Sequence, residues 1–522
     1  MLHALASARL SQGERWVSVK LFRFRRTANA PWTSATSGSR LRFALICAGF
    51  ALGSCVVLTL GGLAARQFVR HLRQAETTVA TESSTALGEG HVRRFKSHQQ
   101  HLANTLTVAS KNRSSPSTSS AIESSHASRP GQDWSEFRGP GGQGHSQAKG
   151  LPIHWSRTEN VTWKTPIPGK GWSSPVTSGD RIFVTTAIET GQTHELHALG
   201  LDAASGEIEW DATVFDRLDP AFVGLHAKNS YATPTPLTDG DRIYVHFGPH
   251  GSACLALDGE TIWKTRELKY EPSAGGAGSP VLVNGLLIIS CDGTDRQFVV
   301  GLDVATGKIR WKTNRQPSAE AQRQAFTTPL VIDVDGKKQV VSSGASDANS
   351  YDPDTGADLW RVNYGGFSTV SRPVFGNGIV YLAAGHPLLM AIRPDGQGEV
   401  TKSHVVWTQN RSIPKCPSPL LVNDSLYLVE DNGIATCINA RTGKPRWTHR
   451  MGGAYATSPL FASGKIYVVS EDGATVIFDA DPKQFTQVAK NKLDEQCLAT
   501  PAVIDGALLI RTRTSLYRIE NR

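Results

Sequence analysis

The sequence predicts an all-β protein whose main body is an eight-bladed β-propeller of four-stranded antiparallel blades, preceded by one transmembrane helix and a disordered linker. Three observations support this prediction. Two short motifs recur along the last three quarters of the chain, Gly accounts for 49 and Trp for 12 of the 522 residues, and an uncharged run occurs near the N-terminus. Abundant Gly and Trp with only 19% charged residues favour short strands and tight turns over a helical bundle.

The first repeated motif is a small residue and a proline, an apolar strand, a Gly or Asn turn, and a second strand. It occurs eight times, and the spacings between successive prolines are 61, 44, 49, 44, 46, 40 and 42 residues. The eight prolines are Pro175, Pro236, Pro280, Pro329, Pro373, Pro419, Pro459 and Pro501. Periods of 40–50 residues that contain four strands are typical of propeller blades.

The second repeated motif is a strand, an Asp-x-x-Thr-Gly turn and a strand that ends in Trp, as in LDVATGKIRW up to Trp311. A Trp at this position offers a large apolar face to the next blade, and its indole N–H needs a partner. The predicted docking residues are Trp163, Trp210, Trp263, Trp311, Trp360, Trp407 and Trp447. Trp407 follows an enlarged hairpin loop, and Phe485 is expected to replace the Trp of the seventh copy.

The two ends of the repeat region are complementary. The eighth copy, residues 498–520, contains three strands and lacks the Trp strand, whereas an isolated Trp strand, residues 160–164, stands just before the first copy. We therefore predict that residues 160–164 complete the last blade. This closure would bury the faces of every sheet and leave only short edges exposed.

The N-terminal region predicts a membrane anchor. Residues 1–42 form a basic tail, and residues 43–65 form a run of 23 residues without a formal charge, long enough to cross about 30 Å of hydrocarbon. The positive-inside rule places the tail in the cytoplasm and the propeller on the periplasmic, extracytoplasmic side of a bacterial cell membrane. A cleaved signal peptide and lipidation at Cys55, within Leu-Gly-Ser-Cys, are the alternatives.

Residues 66–132 are predicted to be a flexible linker, and residues 133–522 the propeller. Ten of the 19 residues from 110 to 128 are Ser or Thr, without an apolar period that could repay the entropy of ordering. Residues 1–133 carry 17 basic and 6 acidic side chains, whereas the rest of the chain carries 38 and 40. The main body therefore lacks the positive charge that a nucleic-acid-binding domain needs.

The Asp-x-x-Thr-Gly-x-x-x-Trp repeat resembles the tryptophan-docking motif of pyrroloquinoline quinone (PQQ) propellers. Over residues 133–522 the chain resembles the PQQ-like, quinoprotein-like repeat proteins related to the outer-membrane assembly factor BamB. Residues 133–144, DWSEFRGPGGQG, and residues 167–175, IPGKGWSSP, resemble the leading segment of membrane-anchored bacterial members. The repeat specifies a fold, but the same blade serves both enzymes and scaffolds.

An enzymatic function is the alternative that this resemblance raises. The related alcohol dehydrogenases hold PQQ with a vicinal disulfide and a calcium site and pass electrons to haem. This chain has seven cysteines but no Cys-Cys, CxxC or CxxCH. The loops that begin at Asp333 and Asp352 lack the carboxylate expected at position 12 of an EF-hand. We therefore predict no cofactor and no metal site, and free, buried thiols in the propeller.

The predicted function is a protein-binding scaffold tethered to the membrane, with other envelope proteins as partners. The residues just before each blade proline are expected at one mouth of the central channel, where aromatic and cationic side chains suit recognition; the alternative is that they only plug the channel. The candidate rim residues are Trp172, Tyr231, Phe326, Arg372, Lys415 and Tyr455. The resemblance to BamB implies a role in envelope or outer-membrane protein assembly. A PQQ-dependent or other oxidoreductase and a sugar- or small-molecule-binding propeller remain as alternatives.

Overall fold

The computed structural model describes residues 133–218, 225–316, 324–366, 368–384 and 387–522. The predicted tail, transmembrane helix and linker lie outside these residues. Within the described ranges, no helix is both long and apolar enough to span a bilayer.

The predicted eight-bladed propeller is confirmed, because the described chain forms eight antiparallel sheets with four strands in each blade. In blades 1 to 4 the strands, from innermost to outermost, are Val176–Ser178, Arg181–Thr190, Thr193–Asp202 and Ile208–Leu218; Leu237–Thr238, Arg242–His246, Ser252–Ala256 and Thr261–Thr265; Val281–Val283, Leu286–Asp292, Gln297–Asp303 and Ile309–Asn314; Leu330–Val334, Lys337–Ser343, Asp347–Tyr351 and Asp358–Asn363. In blades 5 to 8 they are Val374–Gly376, Ile379–Ala384, Leu388–Ile392 and Val405–Gln409; Leu420–Val422, Ser425–Val429, Ile434–Asn439 and Pro445–Arg450; Leu460–Ala462, Lys465–Val469, Ala474–Asp479 and Gln487–Lys492; Ala502–Ile504, Ala507–Arg511, Ser515–Ile519 and Val161–Pro166.

Short additional elements decorate this ring. His145–Ser146 pairs in parallel with the innermost strand of blade 7, and Gly398–Glu399 pairs in parallel with the outermost strand of blade 4. Gln324–Ala325 pairs with Ser368–Thr369. Single helical turns occur at Pro140–Gly142, Gly248–His250 and Thr401–His404.

Burial decreases from the axis outward, as expected for a ring of stacked sheets. The second strand of blade 3, Leu286–Asp292, is buried at all seven positions, whereas in the outermost strand, Ile309–Asn314, only Trp311 is buried. Innermost strands of neighbouring blades contact each other, as in blades 5 and 6 and blades 6 and 7. The innermost strands therefore surround the central axis.

The Trp residues dock between blades as predicted. The indole N–H of Trp311, in blade 3, donates to the carbonyl of Pro353 in the turn of blade 4 at 2.9 Å, and its ring covers Gly356. A Cβ at Gly356 would lie 2.3 Å from the ring, and its φ is +70°. The Gly of the repeated turn is thus required both by its backbone conformation and by the approaching ring. Equivalent indole-to-carbonyl bonds are made by Trp163, Trp210, Trp263, Trp407 and Trp447.

Trp360 docks in a different way. Its indole N–H donates to Oε1 of Gln339 in its own blade at 2.9 Å, and Nε2 of Gln339 donates to the carbonyl of Pro394 in blade 5 at 3.3 Å. The enlarged hairpin loop of blade 5 contains Pro394 and replaces the short Asp-x-x-Thr-Gly turn. Gln339 therefore relays the link between these two blades.

The prediction that Phe485 replaces a docking Trp is wrong. In blade 7 the position opposite the third strand that Trp447 occupies in blade 6 is held by Ala489. Phe485 precedes the strand and packs backward, 5.7 Å from the ring of Trp447. Trp155, from the segment before blade 1, joins the same hydrophobic cluster as Ala489 and is only 4% exposed. The N-terminal segment thus brings a Trp to this junction.

The predicted closure of the ring is confirmed. Val161–Pro166 pairs antiparallel with Ser515–Ile519 and forms the outermost strand of blade 8. Lys164 Nζ lies 2.6 Å from Oε1 of Glu495 in the same blade. Burial opposes ionisation of Glu495, but hydrogen bonds from Lys164, Thr512, Thr514 and Tyr517 outweigh it and lower its pKa to about 2.

Candidate functional site

One end of the central channel is closed by the segment that precedes the ring. Residues 133–146 make hydrogen bonds to blades on opposite sides of the axis, so the segment crosses the channel. The bonds are Trp134 N–H to Thr177 Oγ1 in blade 1 (2.8 Å), Thr238 N–H in blade 2 to Ser135 O (2.9 Å), Arg138 Nη2 to Pro419 O in blade 6 (2.8 Å) and Phe461 N–H in blade 7 to Gly144 O (2.8 Å). We call residues 133–146 the plug.

Arg372 holds the plug and does not lie at the mouth, so this part of the rim prediction is wrong. Its side chain is 1% exposed and donates to the carbonyls of Pro329 and Phe137 and to Glu136 Oε2, the last at 2.8 Å. A Cβ on Gly142 of the plug would lie 2.0 Å from Arg372 Nη1. The long side chain extends toward the plug, where it meets acceptors, rather than toward the opposite rim.

A belt of hydroxyl groups surrounds the channel at the residues just before the blade prolines. At six of the eight junctions the backbone N–H donates to the hydroxyl of the corresponding residue in the next blade, as Ser174 does to Thr235 at 3.0 Å. The other such bonds are Thr235 to Ser279, Ser279 to Thr328, Arg372 to Ser418, Ser418 to Ser458, and Ser458 to Thr500, all at 2.9–3.0 Å. The small residue in the repeated motif is thus explained, because its hydroxyl joins adjacent blades at the axis.

Above the belt, the channel forms a cavity of about 530 Å³. Phe137 of the plug lines it together with the belt hydroxyls, and the loops that lead into the innermost strands complete its wall. Three predicted rim residues, Trp172, Phe326 and Lys415, line this mouth. Cys416 lines it too, whereas Cys497 is fully buried.

The two remaining rim residues lie elsewhere. Tyr231 lines a neighbouring cavity beside the mouth. Tyr455 is 1% exposed, belongs to a hydrophobic cluster of blades 6 and 7, and its backbone N–H donates to the carbonyl of Asp431 at 3.0 Å. Burial raises the pKa of Tyr455 to about 12. The prediction that Tyr455 lines the mouth is therefore wrong, since it supports the Asp431 turn from inside.

The mouth also carries charged side chains that are not among the predicted rim residues. Asp431 accepts N–H bonds from Lys415 at 2.7 Å and Cys416 at 3.2 Å. Lys228, in the loop leading into blade 2, lies 2.6 Å from Glu471 in blade 7. Burial opposes the charge of Lys228, but the carboxylates of Glu471 and Asp431 outweigh it and raise its pKa. These groups fix the geometry of loops from three different blades.

A pattern in the sequence indicates these acidic residues. Asp431 and Glu471 both lie in Glu-Asp turns between the second and third strands, in the sixth and seventh copies. Because the innermost strand runs away from the mouth and the second strand returns, this turn is always at the mouth. Acidic turns in adjacent copies therefore indicate charge at one rim.

The thiol of Cys416 and the rings of His246 and His250 are held in their neutral forms. The five propeller cysteines are free, as predicted. Burial and the nearby Asp431 carboxylate raise the pKa of Cys416 to about 12, so its thiol is protonated at neutral pH. Burial also lowers the pKa of His246 to about 3 and that of His250 to about 4, which leaves both rings neutral.

In the part of the chain that the structure describes, no group of three His, Cys, Asp or Glu side chains is placed to hold a metal ion. The loop at Asp352 is a local turn, in which the carboxylate accepts the N–H of Asp354 and both the N–H and the hydroxyl of Thr355. These bonds are those of a strand-connecting turn.

Comparison with known proteins agrees with this architecture. A family model described as "Outer membrane protein assembly factor BamB" matches residues 152–347 and 401–484, more than half of the chain. The chain is 28% identical over 149 residues to outer membrane protein assembly factor BamB of Salmonella typhimurium, a match that covers 27% of this chain and 34% of that relative. It is 23% identical over 398 residues to BamB of Yersinia pestis, which covers 68% of this chain and 91% of that relative.

Among solved structures, the quinohemoprotein alcohol dehydrogenase of Comamonas testosteroni superposes with a TM-score of 0.55 and 11% identity, over 75% of this chain and 81% of that one. At this identity the likeness shows the fold alone. The repeated Trp-docking motif, the eight closed blades and the family match lead to the same assignment: the chain belongs to the PQQ-like propeller family of the outer membrane protein assembly factor BamB.

Proposed function

We propose that this protein is a non-catalytic, membrane-tethered extracytoplasmic propeller that binds other envelope proteins as a scaffold in outer-membrane protein assembly. The observation that carries the proposal is the asymmetry of the channel. The plug closes one end, whereas the other end presents Trp172, Phe326, Lys228, Lys415 and Asp431 around an open cavity. Aromatic and basic side chains of this kind dominate the energetics of protein interfaces.

The mechanism is rigid presentation. The hydroxyl belt and the interblade Trp bonds fix the blades relative to one another, and Asp431 and the Lys228–Glu471 pair fix the loops on top of them. A partner that docks on such a surface pays little conformational entropy on the propeller side. Binding loops on a rigid β-scaffold are a common arrangement for recognition.

PQQ-dependent catalysis is the second candidate, because the fold is shared with quinohemoprotein dehydrogenases. The residues at the mouth do not fit that cofactor with its metal. Cys416 stands alone with a protonated thiol, and the lining carboxylate, Asp431, already accepts two backbone N–H bonds. Calcium would need six to eight oxygen ligands. We therefore derive no catalytic step.

The membrane tether is proposed from the sequence. Residues 43–65 would span the bilayer, and a flexible linker of about 60 residues has a root-mean-square span of roughly 40 Å. A reporter that is active only in the cytoplasm, fused after Arg522, should then be silent. An active fusion would reverse the proposed orientation.

The function is tested by complementation in cells that lack the chain, with the amount of folded outer-membrane β-barrel protein as the readout. The mouth variant Phe326→Ala/Lys415→Ala should fail to restore that amount. The matched control, Ile262→Ala/Lys308→Ala, removes an exposed apolar and an exposed basic side chain far from the mouth and should restore it. Full restoration by the mouth variant, at equal expression and melting temperature, would reject the mouth as the working surface.

A further inference from the structure

A second cavity of about 420 Å³ lies beside the mouth, between blade 8, blade 1 and the loop that leads into blade 2. We call it the alcove. The lining residues that matter for its chemistry are Lys170, Trp172, Glu189, His194, Tyr231 and Arg513. Trp172 and Asn229 line the mouth as well, so the two cavities are adjacent.

The wall of the alcove is fixed by its backbone. Lys170 and Ala187 exchange two backbone hydrogen bonds, at 2.8 and 2.9 Å, and the N–H of Trp172 donates to Ala232 O at 3.0 Å. Gly169 has a φ of +74°, and a Cβ there would lie 2.3 Å from Ala187 O. Only glycine therefore allows residue 169 to approach blade 1 so closely, and this approach positions Lys170 and Trp172 at the alcove.

The interior of the alcove is aromatic. The ring of Tyr231 lies 4.8 Å from that of His194 and 5.4 Å from that of His250. Trp172 and Tyr231 are both half-buried. The Nδ1 atom of His194 is buried and has no hydrogen-bond partner among the described residues. The alcove therefore combines apolar faces with one unused polar atom, which is typical of a binding pocket.

The edge of the alcove is positively charged. Lys170 and Arg513 are exposed, and neither has an acidic partner in the described part of the chain. Among the lining residues the only carboxylate is Glu189, at the exposed tip of the blade 1 hairpin. Arg511 lies beneath the floor, 1% exposed, and donates to the carbonyl and hydroxyl of Ser173 rather than to a carboxylate. The local potential therefore favours an anion.

We infer that the alcove binds an acidic segment of a partner polypeptide, with an Asp or Glu side chain between Lys170 and Arg513 and a neighbouring aromatic or apolar side chain against Trp172 and Tyr231. This inference rests on the proposed scaffold function and names the partner chemistry of the same face. A peptide fits better than a free anion because a single anion would leave most of the 420 Å³ cavity, and the rings of Trp172 and Tyr231, without a contact. The shared Trp172 lets one partner occupy the alcove and the mouth together.

The test is selection from a random peptide display library on the purified full chain in detergent, followed by measurement of the selected peptides by fluorescence anisotropy. The selected sequences should be enriched in Asp or Glu next to an aromatic residue. Lys170→Glu/Arg513→Glu should weaken their binding about tenfold or more, because two attractive charges become repulsive. The matched control Lys308→Glu/Lys490→Glu makes the same change in net charge on outer surfaces of blades 3 and 7 and should leave binding unchanged.

Three outcomes would overturn the inference. Selected peptides could lack acidic residues, or they could bind the charge-reversed variant as well as the unmodified chain. Acetate or phosphate could raise the melting temperature as much as the peptides do at equal occupancy, which would identify a free anion as the occupant. If the mouth variant fails to complement but the Lys170→Glu/Arg513→Glu variant binds the peptides normally, the alcove is rejected as the peptide site and the scaffold function stands.

Discussion

Removing the Trp of the closing strand, Trp163→Ala, should destabilise the whole propeller. Trp163 is 9% exposed, its indole N–H donates to Ala203 O at 3.0 Å, and its ring covers Gly206 of blade 1. Burying about 150–250 Å² at 25 cal/mol per Å² gives an upper limit of about 4–6 kcal/mol. Trp-to-Ala changes in cores cost about 3–5 kcal/mol. At about 2.1 cal/mol/K per residue for residues 133–522, the melting temperature should fall by about 4–6 °C.

The measurement is equilibrium unfolding by denaturant and by heat, monitored by tryptophan fluorescence and circular dichroism. Trp311→Ala is the matched control, because Trp311 is 8% exposed and docks in the same way between blades that are continuous in sequence. Both variants should lose similar free energies of unfolding. Loss of less than about 1 kcal/mol for Trp163→Ala, beside the full loss for Trp311→Ala, would refute the reasoning that the N-terminal strand closes the ring energetically.

Three further predictions concern the closure, the plug and the cofactor. The pKa of Glu495 is lowered from 4.5 to about 2 in the folded chain, so the stability that its carboxylate contributes is present above pH 4.5 and is lost as the pH falls toward 2. Glu495→Gln should therefore be less stable than the unmodified chain at neutral pH, and the acid unfolding curves of the two should converge. Parallel curves would contradict this. Gly142→Ala places a methyl group against Arg372 at a φ of +68°, which should loosen the plug. Trypsin should then cut after the buried Arg138 faster than in the unmodified chain. An unchanged cleavage rate would argue against the contact between Arg372 and the plug. Micromolar PQQ with calcium should neither raise the melting temperature nor support dye reduction with an alcohol. A ligand at 100 times its Kd would add about 2.7 kcal/mol to the free energy of unfolding. A saturable rise in melting temperature with PQQ would therefore favour the enzyme.

Most of the fold can be predicted from the repeat, because each copy encodes its own local structure. The Asp-x-x-Thr-Gly turn, the Trp four residues after its Gly and the proline before the innermost strand all lie within one blade, and they predict the docking of Trp311. Closure was also readable, since a missing strand at one end matched an extra strand at the other.

The failures all involve contacts between residues far apart in sequence. Arg372 occupies a repeat position that predicts the mouth, but its side chain finds acceptors in a plug 235 residues away. Residue type alone favours Phe485, whereas the strand register gives the docking position to Ala489 and the N-terminal segment brings in Trp155. Tyr455 lies near the mouth in sequence position but folds into the core. Side-chain direction at an irregular loop is decided by such partners, and a single repeat does not specify them.

Site-specific photo-crosslinking in living cells tests most directly whether the open mouth is the surface that contacts envelope assembly proteins. A photoreactive residue replaces Lys415 at the mouth or, as the matched control, the exposed Lys337, which begins the second strand of blade 4 at the plugged end. We expect position 415 to crosslink to components of outer-membrane protein assembly, identified by mass spectrometry, and position 337 not to do so. Crosslinks to those components from position 337, with none from position 415, would contradict this expectation.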